Sequence, residues 1–145
     1  MVANFKSWDE LTQKSPDLII ARCTETPKSG LVADGMIWAD IEVLSVLKGD
    51  TKPGAARMVS QFSPHQGQRF LMFSTYQSNE LYRAYNATEE YRVVPIGPYF
   101  QLDQLTGKPL AEQIQTVLRQ RLEDLKRESE HAAEEKKRLE AGLAK

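Results

Sequence analysis

Apolar and polar residues alternate in short runs over the first hundred positions of the chain and then change to a helical spacing. Apolar side chains such as Ile37, Ala39 and Ile41 recur at every second position, as on a strand with one face towards a core. Turn-forming residues such as Pro53 and Gly54 separate the runs. The pattern predicts five strands, over about residues 17–24, 36–47, 57–62, 69–76 and 91–96.

Two of these strands are apolar at consecutive positions. Leu18, Ile19 and Ile20 form an unbroken run, and the strand at 69–76 is the most apolar in the chain. Such runs are typical of strands that are covered on both faces. Residues 77–88 are polar and contain tyrosines, and we interpret them as a long loop or a loosely paired ribbon.

A short helix is predicted before the first strand. Ser7 followed by Glu10 forms a capping box, and Pro16 ends the helix, which we expect over about residues 8–14. Five short strands with a capping helix indicate a five-stranded barrel of the OB type. The predicted fold class is mainly β with flanking helices, one short at the N-terminus and one long at the C-terminus.

The C-terminal segment has a different pattern. From Pro109 onward we expect more than thirty helical residues, of which the first half can pack on the barrel through one apolar side. Positions 119–145 contain eight basic and seven acidic residues, and we interpret the end of the helix as a charged extension or weak coiled coil. The chain is thus divided into a barrel with its capping helix at 1–108 and a C-terminal helix at 109–145.

Several short motifs resemble those of a bacterial protein family. Residues 7–11 and 15–21 resemble its opening, a helix followed by an Asp-containing turn and a strand. Val-Leu-Ser-Val-Leu-Lys-Gly-Asp at 43–50 and Gly-Gln-Arg-Phe-Leu-Met-Phe at 67–73 resemble two of its strands. Such domains are similar to the OB-fold half of the tissue inhibitors of metalloproteinases, the netrin-like (TIMP-like) domain. The resemblance covers about residues 7–100.

The resemblance implies a fold and a cellular setting more than an activity. The inhibitors act through an N-terminal cysteine that chelates the protease zinc, whereas the one cysteine of this chain is Cys23, inside a predicted strand. Metalloproteinase inhibition is therefore not carried over. The resemblance implies an exported bacterial protein, periplasmic or extracellular after removal of a signal peptide. The residues after Met1 contain no apolar leader, so a cytoplasmic location also stays open.

The bulk composition limits the classes of function. The chain of 145 residues has a formal net charge of −1, so no strong field draws it to nucleic acid or anionic lipid. No apolar run reaches the length that crosses a membrane, and we expect no membrane insertion. A single cysteine excludes an intrachain disulfide.

Candidate chemical groups are few and scattered. We interpret Cys23 as a buried structural cysteine, because an activated thiolate needs a neighbouring base or cation. His65 lies in a loop and His131 on the distant charged helix, so a histidine pair is not expected. Asp40 and Glu42 share a strand face, where they form a polar patch or, with a further ligand, a cation site. We therefore predict no enzyme, no cofactor and no metal.

Binding residues are better represented than catalytic ones. Tyr82, Arg83, Tyr85 and Tyr91 are of the residue types that anchor protein contacts, so we predict that they contact a protein or peptide partner. The same aromatic residues would stack nucleic-acid bases in an OB barrel, which makes a cytosolic nucleic-acid-binding protein the alternative. The C-terminal helix either self-associates or extends into solvent. The sequence thus predicts a non-enzymatic binding or interaction module.

Overall fold

The computed structural model describes most of the chain, namely residues 8–26, 31–32, 36–60, 62, 64–84, 93–127, 137 and 139–140. Within these residues helix α1 precedes the strands, and a 3-10 turn (Leu102–Leu105) leads into helix α2. The elements are α1 (Trp8–Lys14), β1 (Asp17–Glu25), β2 (Leu31–Val32), β3 (Met36–Lys48), β4 (Gly54–Ser60), β5 (Arg69–Tyr76), β6 (Leu81–Ala84), β7 (Val93–Ile96) and α2 (Leu110–Arg127).

Five of the strands form a closed barrel. The order is β1-β3-β4-β6-β5, and β5 pairs back with β1 to close the sheet. Neighbouring strands are antiparallel except β4 and β6, which are parallel. The mainly β fold class, with its short N-terminal and long C-terminal helix, is confirmed, and the closed barrel is compatible with an OB-like fold.

The fifth strand of the barrel differs from the one that the sequence predicts. It is β6, within the stretch 77–88 that we interpret from the sequence as a long loop or a loosely paired ribbon, whereas the predicted fifth strand corresponds to β7. Both strands pair with one edge of β5, where the register passes from Ser74–Ala84 to Met72–Val93. β6 and β7 thus lie one after the other along the same edge of β5, and the eight residues at 85–92 stand between them in the sequence.

The β5–β6 hairpin has a tight turn whose sequence is unusual for its conformation. Asn79 and Glu80 both have positive φ, at 54° and 61°, and the amide of Leu81 donates to the carbonyl of Ser78 at 3.2 Å. These features define a type I′ turn, whose usual signature is Asn-Gly. Glu80 stands where glycine is expected, so the hairpin lacks its usual sequence signal.

The apolar side chains form two layers that share strands β1 and β5. Ile19, Phe70 and Met72 fill the barrel interior. Leu18 and Phe73, on the opposite faces of the same strands, pack under the helices. Burial on both faces explains the unbroken apolar runs of these two strands and confirms the interpretation made from them.

Helix α1 is fixed to the barrel by packing and by a lysine. The Trp8 ring lies 5.7 Å from that of Phe73, measured between centroids. The Nζ group of Lys48, at the end of β3, donates to the carbonyls of Thr12 and Gln13 at 2.9 and 2.8 Å. A cation at the C-terminal carbonyls of a helix stabilises it. The predicted helix at 8–14 is confirmed, and the proposed cap Ser7 lies outside the described residues.

Helix α2 covers the outer face of the barrel near β7. Its buried side chains recur at helical spacing and join the layer under the helices, as the pattern predicts. Leu139, beyond the end of α2, is also buried, with 1% of its surface exposed, and belongs to the same layer. The segment expected to be a charged extension therefore contributes at least one residue to the core. The buried residues of α2 are Ile114, Val117, Leu118 and Leu125.

Candidate functional site

The four predicted contact residues do not form one described surface. Tyr82 is 2% exposed and points into the barrel, where its ring meets that of Tyr76 edge-on at 5.1 Å. Burial raises the pKa of the Tyr82 phenol, which therefore stays protonated. Arg83, the next residue along β6, has its side chain on the outer face of the barrel and is exposed. Tyr85 and Tyr91 lie outside the described residues.

Cys23 is buried in the barrel, as predicted. It is 0% exposed, and its thiol donates to the carbonyl of Glu25 at 3.2 Å. Burial raises the pKa of the Cys23 thiol, with a smaller opposing effect from the hydrogen bond to Glu25. A protonated, inaccessible thiol is a poor nucleophile, so Cys23 has a packing role.

Asp40 and Glu42 lie among arginines. Glu42 accepts a hydrogen bond from Nη2 of Arg22 at 2.8 Å, and Asp40 faces Arg57 across the β3–β4 ladder. The guanidinium of Arg57 in turn lies 5.1 Å from the ring centroid of Trp38. The patch is close to electroneutral. Within the described part of the chain, no three His, Cys, Asp or Glu side chains converge as metal ligands.

A cleft of about 540 Å³ opens between the barrel and α2. One wall is the loop from His65 into the start of β5, the second is the turn after β7, and the third is the last part of α2. Residues from distant parts of the chain meet here, and no pattern in the sequence predicts the site. Its lining includes Arg69, Gly97, Tyr99, Gln120, Arg121 and Asp124.

Arg69 lines the cleft and holds the turn after β7. Its Nη2 donates to the carbonyls of Gly97 and Phe100 at 2.5 and 2.7 Å. Burial lowers the pKa of Arg69, since a guanidinium loses hydration there. Among the described residues no carboxylate lies within ion-pair distance of Arg69. It is thus a half-buried cation whose partners are neutral carbonyls.

Asp124 brings α2 against the same turn. Its Oδ1 accepts from Nε2 of Gln120 at 3.1 Å, whereas its buried Oδ2 has no hydrogen-bond partner in the described part of the chain. A Cβ atom at Gly97 would lie 2.7 Å from Oδ2. Position 97 therefore needs glycine because the carboxylate of α2 approaches the backbone closely.

Tyr99 stands at the rim of the cleft and is 89% exposed. It is the one large apolar side chain of the described residues that is exposed to this degree. The hydrogen bonds of Arg69 to the carbonyls of Gly97 and Phe100 hold the turn that carries Tyr99. Tyrosine combines a large contact area with a small loss of conformational freedom, so it is well suited to bind another chain.

The fold and the cleft together define a small β-barrel protein whose described residues include an aromatic-rimmed groove. None of the described helices is long and apolar enough to cross a membrane. Comparison of the sequence with protein-family models gives no match, and comparison with curated proteins gives none either.

Proposed function

We propose that the protein is a non-enzymatic binding module that holds a segment of a partner polypeptide in the cleft between the barrel and α2. The exposed side chain of Tyr99, on a turn that Arg69 fixes, is the observation that carries the proposal. A pre-ordered backbone lowers the entropy lost on binding, and an exposed tyrosine supplies contact area. The rest of the cleft offers hydrogen-bonding groups from Gln68 and Gln120.

The groups in the cleft favour recognition over chemistry. The guanidinium of Arg69 is held by two backbone carbonyls, and one oxygen of Asp124 is held by Gln120. His65 is exposed in its loop, and its backbone amide bonds to the side chain of Gln68. A nucleophile and base within hydrogen-bond distance, which acyl transfer would need, are not found among the described cleft residues.

Selection of random peptides against the folded protein tests the proposal. We expect the selected peptides to shift amide NMR signals around Arg69, Tyr99 and Asp124. Tyr99→Ala should weaken their binding about tenfold or more, because an anchor tyrosine contributes about 2 kcal/mol. Arg83→Ala, on the surface that the sequence predicts, is the matched control and should leave binding unchanged.

Two results would reject this function. One is a failure to select any peptide that binds the cleft; the other is a shift of signals at Arg83 with loss of binding in Arg83→Ala. Fluorescence anisotropy with labelled single-stranded DNA is run in parallel. Tight binding that falls steeply with salt would support the nucleic-acid alternative instead.

We also propose that the barrel is of the netrin-like type and that the protein is exported by a bacterium. The support is the set of short motifs, above all residues 43–50 and 67–73, together with the closed barrel. The gene upstream of Met1 provides the test. A leader with an apolar core would support export, and a stop codon followed directly by the start at Met1 would contradict it.

A further inference from the structure

The faces of β1 and β5 that lie under the helices end in two arginines. Across the β1–β5 ladder Leu18 pairs with Phe73, Ile20 with Leu71, and Arg22 with Arg69. From these opposed positions the two side chains reach different partners, Arg22 to Glu42 on β3 and Arg69 to the turn after β7. The apolar layer thus ends at two arginines, of which Arg69 lines the cleft.

The two arginines are compensated differently. Arg22 forms an ion pair with Glu42 at 2.8 Å, whereas Arg69 has only carbonyl partners among the described residues. Asp124 is the acidic residue of the described lining, and it packs against Gly97. Arg69 therefore brings to the cleft a half-buried positive charge whose described partners are neutral carbonyls.

The hydrogen-bonding capacity of Arg69 is only partly used. A guanidinium has five N–H donors, and the two on Nη2 are taken by the carbonyls of Gly97 and Phe100. The donors on Nε and Nη1 have no acceptor among the described residues. They are held in one plane with the bonded Nη2, so their direction is fixed before a ligand arrives.

We propose that the cleft binds an acidic side chain of the partner polypeptide, with one carboxylate oxygen accepting a hydrogen bond from Nε or Nη1 of Arg69. An apolar residue beside that acid packs on Tyr99. The carboxylate compensates a half-buried cation, and charge-assisted hydrogen bonds of this kind are about twice as strong as neutral ones. This inference rests on the proposed function and adds the chemistry that its ligand must carry.

A polypeptide carboxylate fits the cleft better than a phosphate. Asp124 lies in the same cleft and would repel a dianion more than a single carboxylate. The chain has a net charge of −1, without the basic excess that follows a phosphate backbone. Glutamine side chains and an exposed tyrosine are suited to the backbone and side chains of a peptide.

Peptide selection from two libraries tests the inference. One library contains Asp and Glu, and the other replaces them with Asn and Gln. We expect cleft-binding peptides from the first library to share an acidic position. Its isosteric amide should bind about tenfold more weakly or worse, which is about 1.4 kcal/mol. Arg69→Lys should cause a similar loss, and Arg83→Lys, the matched control, should cause none.

A measurement on the unaltered protein separates binding from a purely structural role of Arg69. The Nε–H signal of Arg69 in the NMR spectrum should shift when the acidic peptide is added and stay in place with its amide. If peptides bind the cleft but the amide binds equally well, the inference is wrong while the proposed function stands. If no peptide binds there, the proposed function itself fails. Displacement of the peptide by inorganic phosphate at equimolar concentration would also overturn the carboxylate assignment.

Discussion

At the scale of single residues, the turn after β3 shows why lysine and glycine stand together at positions 48 and 49. Gly49 has a φ of 111°, a conformation that side chains disfavour, and a Cβ atom there would collide with Oδ1 of Asp17. The other oxygen of Asp17 accepts a hydrogen bond from the amide of Tyr76 at 2.8 Å. The neighbouring Lys48 caps α1. The Lys-Gly pair thus joins the corner to α1, β1 and β5.

Gly49→Ala should therefore lower the free energy of unfolding by about 2–3 kcal/mol, from the strained φ and the displaced Asp17. Gly107→Ala is the matched control, since Gly107 also has a positive φ, at 80°, but no atom lies within 4 Å of its added Cβ. It should cost only about 1 kcal/mol. Urea unfolding measures both. Equal losses would show that the approach of Asp17 is unimportant.

The turn between β5 and β6 gives the opposite prediction. Glu80 holds a φ of 61° without being glycine, which strains the backbone. Glu80→Gly should raise the free energy of unfolding by about 1 kcal/mol, because the turn keeps its hydrogen bonds and loses the strain. Glu80→Ala removes the side chain but keeps the strained φ, so it should give no gain. A thermal melt in which both variants gain equally would contradict this explanation.

At the scale of elements, the position of α2 on the barrel depends on one close contact. The Asp124 carboxylate lies against Gly97, at the turn that Arg69 holds. The contact is local and polar, whereas the rest of the interface is the apolar layer shared by β1, β5 and the helices. The contact therefore affects the position of α2 along the barrel more than the free energy with which α2 packs on the barrel.

Gly97→Ala should destabilise the protein by about 1–3 kcal/mol, because the added methyl overlaps Asp124. In the double variant with Asp124→Ala much of this loss should be recovered, since the overlapping group is gone. A double-mutant cycle from urea unfolding gives the coupling, which we expect to be about 1 kcal/mol or more. Additive effects of the two substitutions would mean that the contact does not limit position 97.

At the scale of the whole molecule, the protein has one barrel core and a second core between the barrel and its helices. Strands β1 and β5 belong to both, so loss of the helices would expose apolar faces of the central strands. Leu139 joins this second core from beyond α2. Leu139 therefore has a structural role that the charged composition of the C-terminal segment does not indicate.

Leu139→Ala should lower the free energy of unfolding by about 2–4 kcal/mol, as for other fully buried leucines. Truncation after Arg127 should cost at least as much, with the barrel still folded at low temperature. Thermal melts measure the loss, and light scattering of the truncated protein tests whether the C-terminal helix self-associates or extends into solvent. An unchanged melt for Leu139→Ala would show that the tail does not contribute to the core.

Much of the fold could be predicted from particular residues. The unbroken Leu18–Ile20 run indicated a doubly covered strand, and the spacing from Leu110 to Leu125 indicated a helix with one apolar face. The sequence indicated β6 only through one of two alternatives, a loosely paired ribbon, because the strand has only four residues and its turn has Glu80 in place of glycine. The cleft was missed because no periodicity links Arg69 to Asp124, which lie far apart in the chain.

The sequence by itself determined the local structure of this protein: the apolar period that makes each long strand and helix, and the glycine that its main corner requires. These features depend on neighbours along the chain. Only the tertiary structure decided which faces meet. Closure of the barrel placed Arg69 beside Arg22, and packing of α2 placed Asp124 against Gly97. The cleft lies where α2 packs against the turn after β7 and the start of β5. A binding site of this kind depends on distances in space that no local pattern encodes.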